Sequence, residues 1–177
     1  MNQAVFEPLV RIGPDGVAEP VLAQSWTQES PTRWVFALRP GVKFSNGEPF
    51  DAAAVVAALM YVLGTPLPSD MLAAVTMRAR IAGARARDAL TVQIDTKVVD
   101  PILPVHLFNL QIPAPQAWAK GIDGFVTAPV GTGPYRVTRW SPGSVMMAAN
   151  PVARTPGTVA EIEVRAMPDP AARALAV

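Results

Sequence analysis

The side chains that could carry out catalysis are few, and they lie far apart in the sequence. His106 is the single histidine, and no serine or carboxylate stands at a spacing that indicates a catalytic triad. Asp95 and Asp100 are separated by a turn, and Glu161 and Glu163 share one face of a predicted strand. Paired carboxylates can act as acid and base, but on an exposed strand they are typical of a solvated surface. We therefore predict no catalytic residue; a hydrolase would need two carboxylates with raised pKa in one cleft.

A metal site and a cofactor are not predicted either. The sequence contains no cysteine, which excludes disulfides, thiolate zinc sites and cysteine nucleophiles. One histidine and scattered carboxylates do not form the ligand set of a transition metal.

The bend formed by Gly131, Thr132, Gly133 and Pro134 is the remaining candidate for chemistry, because glycine-rich turns can bind phosphates. A dinucleotide site requires a third glycine and a helix that begins at the bend. Here Arg136 stands at the position of that glycine, Pro134 has no N–H, and a strand is predicted to follow. A nucleotide site is therefore not predicted. The glycines are explained equally well by ligand contact and by positive φ in a tight bend.

Composition describes an ordinary globular chain. Its 177 residues, 50% of them hydrophobic and 16% charged, suffice for one core or two small ones. The 19 prolines predict a loop-rich α+β chain. A net charge of +1 gives no reason to expect nucleic acid or an anionic membrane as partner. A local group of arginines is predicted to be a solvated strand edge rather than a phosphate site: Arg78, Arg80, Arg85 and Arg87.

The stretch from residue 34 to residue 64 is the clearest structural signal. Residues 34–38 alternate as a strand, and Asn46-Gly47 is typical of a tight turn. Asp51 stands where a helix N-cap is expected, and apolar residues at helical spacing follow it. Gly64 is predicted to end this helix in a left-handed conformation.

Alternation, proline and glycine predict the other elements. A turn is predicted at 13–16. Strands are predicted at 5–11, 81–86, 90–95, 135–140, 145–149 and 161–166, the last with Ile162, Val164 and Ala166 inward. The predicted helical segments are one turn at 20–25, a helix from Ser69 or Asp70 to about Met77, a helix from Asp100-Pro101 that buries Ile102, Leu103, Leu107 and Leu110, a short helix at 115–118, and a helix after Pro168-Asp169-Pro170.

Three stretches together resemble one protein family. Arg39 and residues 41–50 (GVKFSNGEPF) follow the predicted strand without a gap and precede the predicted helix. Residues 5–26 (VFEPLVRIGPDGVAEPVLAQSW) form the second stretch, and residues 129–151 (PVGTGPYRVTRWSPGSVMMAANP) form the third. In this order they resemble the bacterial extracellular solute-binding proteins of family 5, the capture subunits of peptide, nickel and related ABC importers.

The resemblance implies a mixed α+β fold, a periplasmic-binding-protein-like lobe with a central sheet, β-hairpins and flanking helices. It also implies that Trp26 packs in the core beneath the sheet. It spans nearly the whole chain. In a family member of two lobes, however, it corresponds only to the N-terminal part of the first lobe. We therefore expect a second lobe, an export signal and the first strand of the lobe to lie outside this sequence. Residues 1–128 would form an N-terminal subdomain, and residues 129–177 a sheet segment that leads towards the hinge.

The resemblance also implies where a ligand would be contacted, at loops on the edge of the cleft between the lobes. The residues that it places there are Gly131, Thr132, Gly133 and Tyr135, with Asn109, Leu110 and Gln111 in a second group. Nickel-binding members tend to have a basic residue near the second group. This chain has none there, which argues against nickel.

The function implied is capture rather than catalysis. The protein would bind a small solute, an oligopeptide for preference, between two lobes and deliver it to a membrane permease with its ATPases. It would be periplasmic, or anchored to the membrane on its outer side. The alternative is a stand-alone interaction or structural domain that derives from half of such a lobe.

Overall fold

The structure is a computed structural model that describes residues 2–65, 72–119 and 122–169. Strands and short helices alternate along it. The strands are β1 (Val10–Ile12), β2 (Ala18–Pro20), β3 (Ala23–Ser30), β4 (Arg33–Leu38), β5 (Ile81–Asp88), β6 (Thr91–Thr96), β7 (Tyr135–Ser141), β8 (Ser144–Ala149) and β9 (Glu161–Arg165). The helices are α1 (Asn2–Val5), α2 (Ala52–Gly64), α3 (Leu72–Arg80), α4 (Leu103–His106), α5 (Pro115–Ala119) and α6 (Ile122–Thr127). None of the described helices is long and apolar enough to cross a membrane.

The main core lies against a four-stranded antiparallel sheet in the order β3-β4-β6-β5. The alternation predicted for β4 is confirmed, since Trp34, Phe36 and Leu38 are buried and the residues between them are only partly so. Phe36 stands opposite Val92 of β6 in the ladder. The helix α2 packs against β5 and β6, so its buried face closes the core from one side.

The predicted turn and the predicted start of α2 are confirmed. Gly47 has φ of +91°, a conformation that side chains with a Cβ rarely adopt. The Asp51 carboxylate accepts a hydrogen bond from the Ala54 N–H at 3.0 Å, which satisfies one free donor of the first helical turn.

The predicted end of α2 is wrong. Gly64 is the last residue of the helix and does not have positive φ. Thr65 follows it in an extended conformation. Arg78 of α3 stabilises the helix end instead: its Nε donates to the Val62 carbonyl at 2.8 Å, and its guanidinium also donates to the Thr65 carbonyl. Because a side chain from a distant helix binds the free carbonyls, no left-handed glycine is needed.

The N-terminal segment differs from its prediction in two places. Residues 5–11 do not form one strand, because Val5 ends α1 and β1 begins only at Val10. The helical turn predicted at 20–25 is absent, since β2 ends at Pro20 and β3 begins at Ala23. Pairing of β1 with β2, and of β3 with β4, outweighs the local preference of this segment. Trp26 is half-buried and packs on Phe36, with ring centroids 6.2 Å apart.

The segment after β6 also begins its helix later than predicted. The helix α4 starts at Leu103 rather than at Asp100. Leu103, Leu107 and Leu110 are buried as predicted, but Ile102 is 52% exposed because it precedes the first helical turn. The helix α6 was not predicted. The proposed caps Ser69 and Asp70, and the helix expected after Pro170, lie outside the described residues.

A smaller three-stranded sheet in the order β7-β8-β9 follows. The predicted hairpin of β7 and β8 is confirmed, with φ of +78° at Gly143 in its turn. Val5, Tyr135, Val145 and Met147 form a small second core, against which Ile162 is half-buried. The next two positions predicted to point inward are wrong: Val164 of β9 is 42% exposed, and Ala166, just after the strand, is exposed too. No described element covers this end of the edge strand.

The four arginines that the sequence places near one another contact several different partners in the structure. Arg78 binds the end of α2, and Arg80 lies 3.7 Å from the Asp100 carboxylate. Arg87 donates to Glu29 at 2.6 Å, and both Arg85 and Arg87 donate to the side-chain oxygen of Gln93. The predicted strand edge is wrong for Arg78 and Arg80, which lie on α3, whereas Arg85 and Arg87 lie on β5. All four guanidinium groups contact oxygen atoms of the chain itself, which agrees with a structural role.

One exposed carboxylate predicts a pH effect. The hydrogen bond from Arg165, then that from Ser144, lowers the pKa of Glu163 to about 2. A carboxylate with a lowered pKa in the folded state adds stability above its unfolded pKa, and this is lost as pH falls towards the folded pKa. We expect wild type to have a higher free energy of unfolding than Glu163→Gln at pH 6. This difference should vanish between pH 4.5 and pH 2. Carboxyl-detected NMR measures the pKa of Glu163 in the folded protein. A titration midpoint near 4.5 would contradict the prediction.

Candidate functional site

A cavity of about 370 Å³ opens between α2, α3, α5, α6 and the loop before α5. Its floor is made by small and aliphatic side chains of the two longer helices. The residues of this floor are Ala57, Ala58 and Val62 of α2 and Ala73, Ala74 and Met77 of α3. Alanines at these positions leave the volume open, because larger side chains would fill it.

Four aromatic side chains form a continuous row along the cavity. Tyr61 and Trp118 pack edge to face with ring centroids 4.7 Å apart, and Trp118 and Phe125 do so at 4.9 Å. Phe6 extends the row, its centroid 6.3 Å from that of Phe125. Of the four rings only that of Phe125 is buried, so the row presents aromatic surface to the cavity. Such aromatic pairs stabilise the fold beyond the area that they bury.

The polar groups of the wall are neutral. Asn109 and Gln111 are exposed at its rim, and Leu110 between them is buried. Amide side chains both donate and accept hydrogen bonds. No charged side chain is found among the described residues that line the cavity.

The loop with Asn46 and Glu48 positions one side of this wall. The carboxylate of Glu48 accepts a hydrogen bond from the Gln116 N–H at 3.0 Å, at the first turn of the helix that carries Trp118. The Ser45 N–H donates to the Gly131 carbonyl at 2.9 Å, and the Ala114 N–H donates to that of Val130 at 3.0 Å. The segment resembling the family thus ties α5 and the glycine bend to the central sheet.

The structure places the residues of the two predicted site groups differently. Asn109, Leu110 and Gln111 line the cavity. Gly131, Thr132, Gly133 and Tyr135 are buried and do not line it. Ligand contact by either group stays a prediction.

The glycine bend packs against the end of α1 and against Phe6, which follows it. A Cβ at Gly131 would lie 2.6 Å from Phe6 Cδ1 and 2.9 Å from the Val5 carbonyl carbon, and a Cβ at Gly133 would lie 2.6 Å from the Ala4 carbonyl oxygen. Neither glycine has positive φ. Close approach of the two chain segments, rather than turn conformation, therefore requires glycine here. The contact also holds Phe6 in the cavity wall.

Thr132 and Tyr135, the other two residues of the first predicted site group, have distinct surroundings. The hydroxyl of Tyr135 accepts a hydrogen bond from the Val159 N–H at 3.2 Å, and its ring packs on Gly157. Thr132 is 1% exposed, and its Oγ1 is buried without a hydrogen-bond partner among the described residues.

His106 makes a structural contact. Its Nδ1 lies 2.9 Å from the carboxylate of Asp100, which is fully buried, while Trp34 Nε1 donates to the Asp100 carbonyl at 2.9 Å. This arrangement fixes the segment before α4 to the sheet. In the part of the chain that the structure describes, no three histidine or acidic side chains group closely enough to hold a metal ion.

Sequence reasoning missed the aromatic row. Its residues are Phe6, Tyr61, Trp118 and Phe125. One local signal existed for Tyr61, since Ala57, Ala58 and Tyr61 form a second face of α2 beside the buried Val55 and Leu59. For the others no local signal exists, because the rings come from separate segments that only the fold brings together.

Comparison with known proteins decides the family. A family model described as bacterial extracellular solute-binding proteins, family 5 Middle, matches residues 17–177. The chain belongs to this family. The resemblance drawn from the three sequence stretches is therefore confirmed.

Two relatives of this family 5 chain carry names that describe different roles. The nickel-binding periplasmic protein of Escherichia coli (strain K12) is 32% identical over 181 residues, which cover 97% of this chain and 34% of that protein. The HTH-type transcriptional regulator SgrR of the same strain is 34% identical over 149 residues, which cover 82% of this chain and 25% of that protein. The chain thus spans about a quarter to a third of these relatives.

The fold is that of a solved family 5 structure. The ABC transporter substrate-binding protein from Sinorhizobium meliloti matches with a TM-score of 0.85 and 27% identity, over 99% of this chain and 36% of that one. The predicted mixed α+β lobe, incomplete relative to such a protein, is confirmed. The division at residue 128 stays a prediction.

Proposed function

We propose that this chain is part of the solute-capture subunit of a bacterial ABC importer for peptides or related small solutes. The observation that carries the proposal is a preformed, partly open cavity in a chain that belongs to family 5. A volume of about 370 Å³ lies within the range of small-molecule sites, and apolar walls with few polar groups are typical of them.

The mechanism proposed is closure of two lobes around the solute. This chain supplies one wall, with Asn109, Leu110 and Gln111 at the cavity and Gly131, Thr132, Gly133 and Tyr135 supporting the segment behind it. A second lobe supplies the opposite wall and removes the solute from water. The closed form gains its population from its higher affinity for the solute, and it is this form that docks on the permease.

The proposal places the protein outside the cytoplasmic membrane, in the periplasm or anchored to the membrane surface. Its partners are the solute, the permease and the ATPases that drive import, with no nucleic acid. It is a binding protein rather than an enzyme, and it needs no cofactor.

Calorimetry on the protein as the cell makes it, with uptake in a gene-deletion strain, tests the proposal. We expect micromolar or tighter binding of at least one short peptide or related solute, and loss of uptake of that solute when the gene is deleted. The 177-residue chain alone is expected to bind it at least about 100-fold more weakly, because one wall cannot exclude water. Equal affinity of the chain and the whole protein would contradict closure. Undiminished uptake would contradict the importer role.

A second candidate is the sensing part of a transcriptional regulator. The observation that favours it is 34% identity over 82% of this chain to a protein named as such a regulator. The two candidates differ in what the solute changes. A regulator predicts that the solute alters DNA binding by the protein that contains this chain and that deletion leaves uptake intact, whereas an importer predicts the reverse.

A further inference from the structure

The aromatic cavity differs in chemistry from a site built for an ion. Its described wall consists of four aromatic rings, two neutral amides, and the apolar side chains of alanines, prolines, Val62, Met77 and Leu110. Burial of an ion without an opposite charge is costly, so sites for metal chelates or phosphates place charged or metal-ligating groups at the ligand. This wall offers none among the described residues.

The basic side chain nearest in sequence to the floor is already engaged. Arg78 follows Met77 on α3, but its guanidinium binds the carbonyls of Val62 and Thr65 at the end of α2. Turning it towards a ligand would leave those helix carbonyls without their partner. Arg78 therefore stabilises the floor and does not supply a charge to the cavity.

The row of rings also argues against a cage for an organic cation. Such a cage directs several ring faces at one point. Here the planes of Tyr61 and Trp118 meet at 81° and those of Trp118 and Phe125 at 71°. In each such pair the edge of one ring covers a face of the other, so the faces do not converge on a single centre.

The volume fits a ring with substituents. A cavity of about 150 Å³ lined by apolar side chains holds benzene, and this one, at about 370 Å³, is more than twice as large. An aromatic guest could add further edge-to-face contacts to the row. The exposed amides of Asn109 and Gln111 at the rim could pair with the amide or hydroxyl groups that carry the ring.

We infer that the group of the solute that enters this cavity is uncharged and apolar, an aromatic ring or a branched alkyl group attached to a neutral polar backbone. The inference rests on the proposed capture function and names its substrate class: apolar side chains of peptides, or solutes of the same chemistry, rather than free metal ions or charged chelates.

Three probes with the same ring test the charge preference: benzyl alcohol, benzoate and benzylammonium. Their dissociation constants are measured by ligand-detected NMR on the protein as the cell makes it. We expect benzyl alcohol to bind in the millimolar range and both ions to bind at least about tenfold more weakly, since neither finds a counter-charge. Equal or tighter binding of either ion overturns the inference, and so does failure of benzyl alcohol to bind.

Two matched variants locate the binding. Ala57 is exposed and lines the cavity, whereas Ala53 is exposed on the same helix and does not line it. Ala57→Trp is expected to lower benzyl alcohol binding at least about tenfold by filling the volume, and Ala53→Trp to leave it within twofold. Retained binding in a folded Ala57→Trp variant overturns the inference. Trp118→Ala then serves as a second variant if Ala57→Trp does not fold, with loss of binding as the expected result.

This outcome is separable from that of the capture function. If a solute is captured and imported but the probes show no preference for the neutral ring, the inference about substrate class fails alone. If the neutral ring binds selectively but deletion leaves all uptake intact, the importer role fails alone.

Discussion

Replacing Gly131 by alanine is expected to destabilise the protein by about 3 kcal/mol, near the upper end for an added methyl group in a packed interior. The new Cβ would meet the backbone of Val5 and lie 2.6 Å from Phe6 Cδ1. Backbone cannot move aside as the end of a flexible side chain can, so the end of α1 must shift. Urea denaturation followed by circular dichroism measures the loss as a lower midpoint with unchanged slope.

Gly83→Ala is the control for this substitution. Gly83 lies in β5 with φ outside the left-handed region, and a Cβ there meets no atom within 4 Å. The same added methyl group is therefore expected to change stability by less than about 0.5 kcal/mol. If Gly131→Ala and Gly83→Ala unfold at the same urea concentration, close packing against Val5 is not the reason for glycine at 131.

Trp118→Ala is expected to weaken binding of the captured solute about 30-fold, the effect of removing one central aromatic contact worth about 2 kcal/mol. Trp118 contacts the rings of both Tyr61 and Phe125, so its removal opens the middle of the row. Calorimetry with a short peptide or related solute that the wild-type protein binds measures the change. Far-UV circular dichroism confirms that the variant is folded before the comparison is made.

Trp140→Ala is the matched control, since Trp140 is 38% exposed on β7 and does not line the cavity. We expect its affinity to stay within twofold of wild type. Equal losses in Trp118→Ala and Trp140→Ala would show that a general loss of stability, rather than the cavity, lowers the affinity. An unchanged affinity in Trp118→Ala would remove the aromatic row from the binding site.

Patterns of neighbouring residues predicted much of the fold correctly. The alternation in β4, the Asn46-Gly47 turn and the Asp51 cap depend on interactions within a few residues, so they could be inferred before any tertiary contact was known. The hairpin of β7 and β8 was predicted for the same reason. The errors occur where a distant segment intervenes. Arg78 stabilises the helix end assigned to Gly64, and strand pairing replaces the helical turn predicted at 20–25.

The sequence by itself determined the family and the α+β class. Asn109, Leu110 and Gln111 of the second predicted site group line the cavity, and their contact with a ligand stays a prediction. Only the tertiary structure decided what the cavity is made of. Phe6, Tyr61, Trp118 and Phe125 come from four separate segments, and no local spacing relates them. Likewise, the need for glycine at 131 and 133 arises from the approach of residues 4–6, more than 120 positions earlier in the chain. Local periodicity records short-range interactions, whereas a site built from distant segments exists only once the core has brought them together.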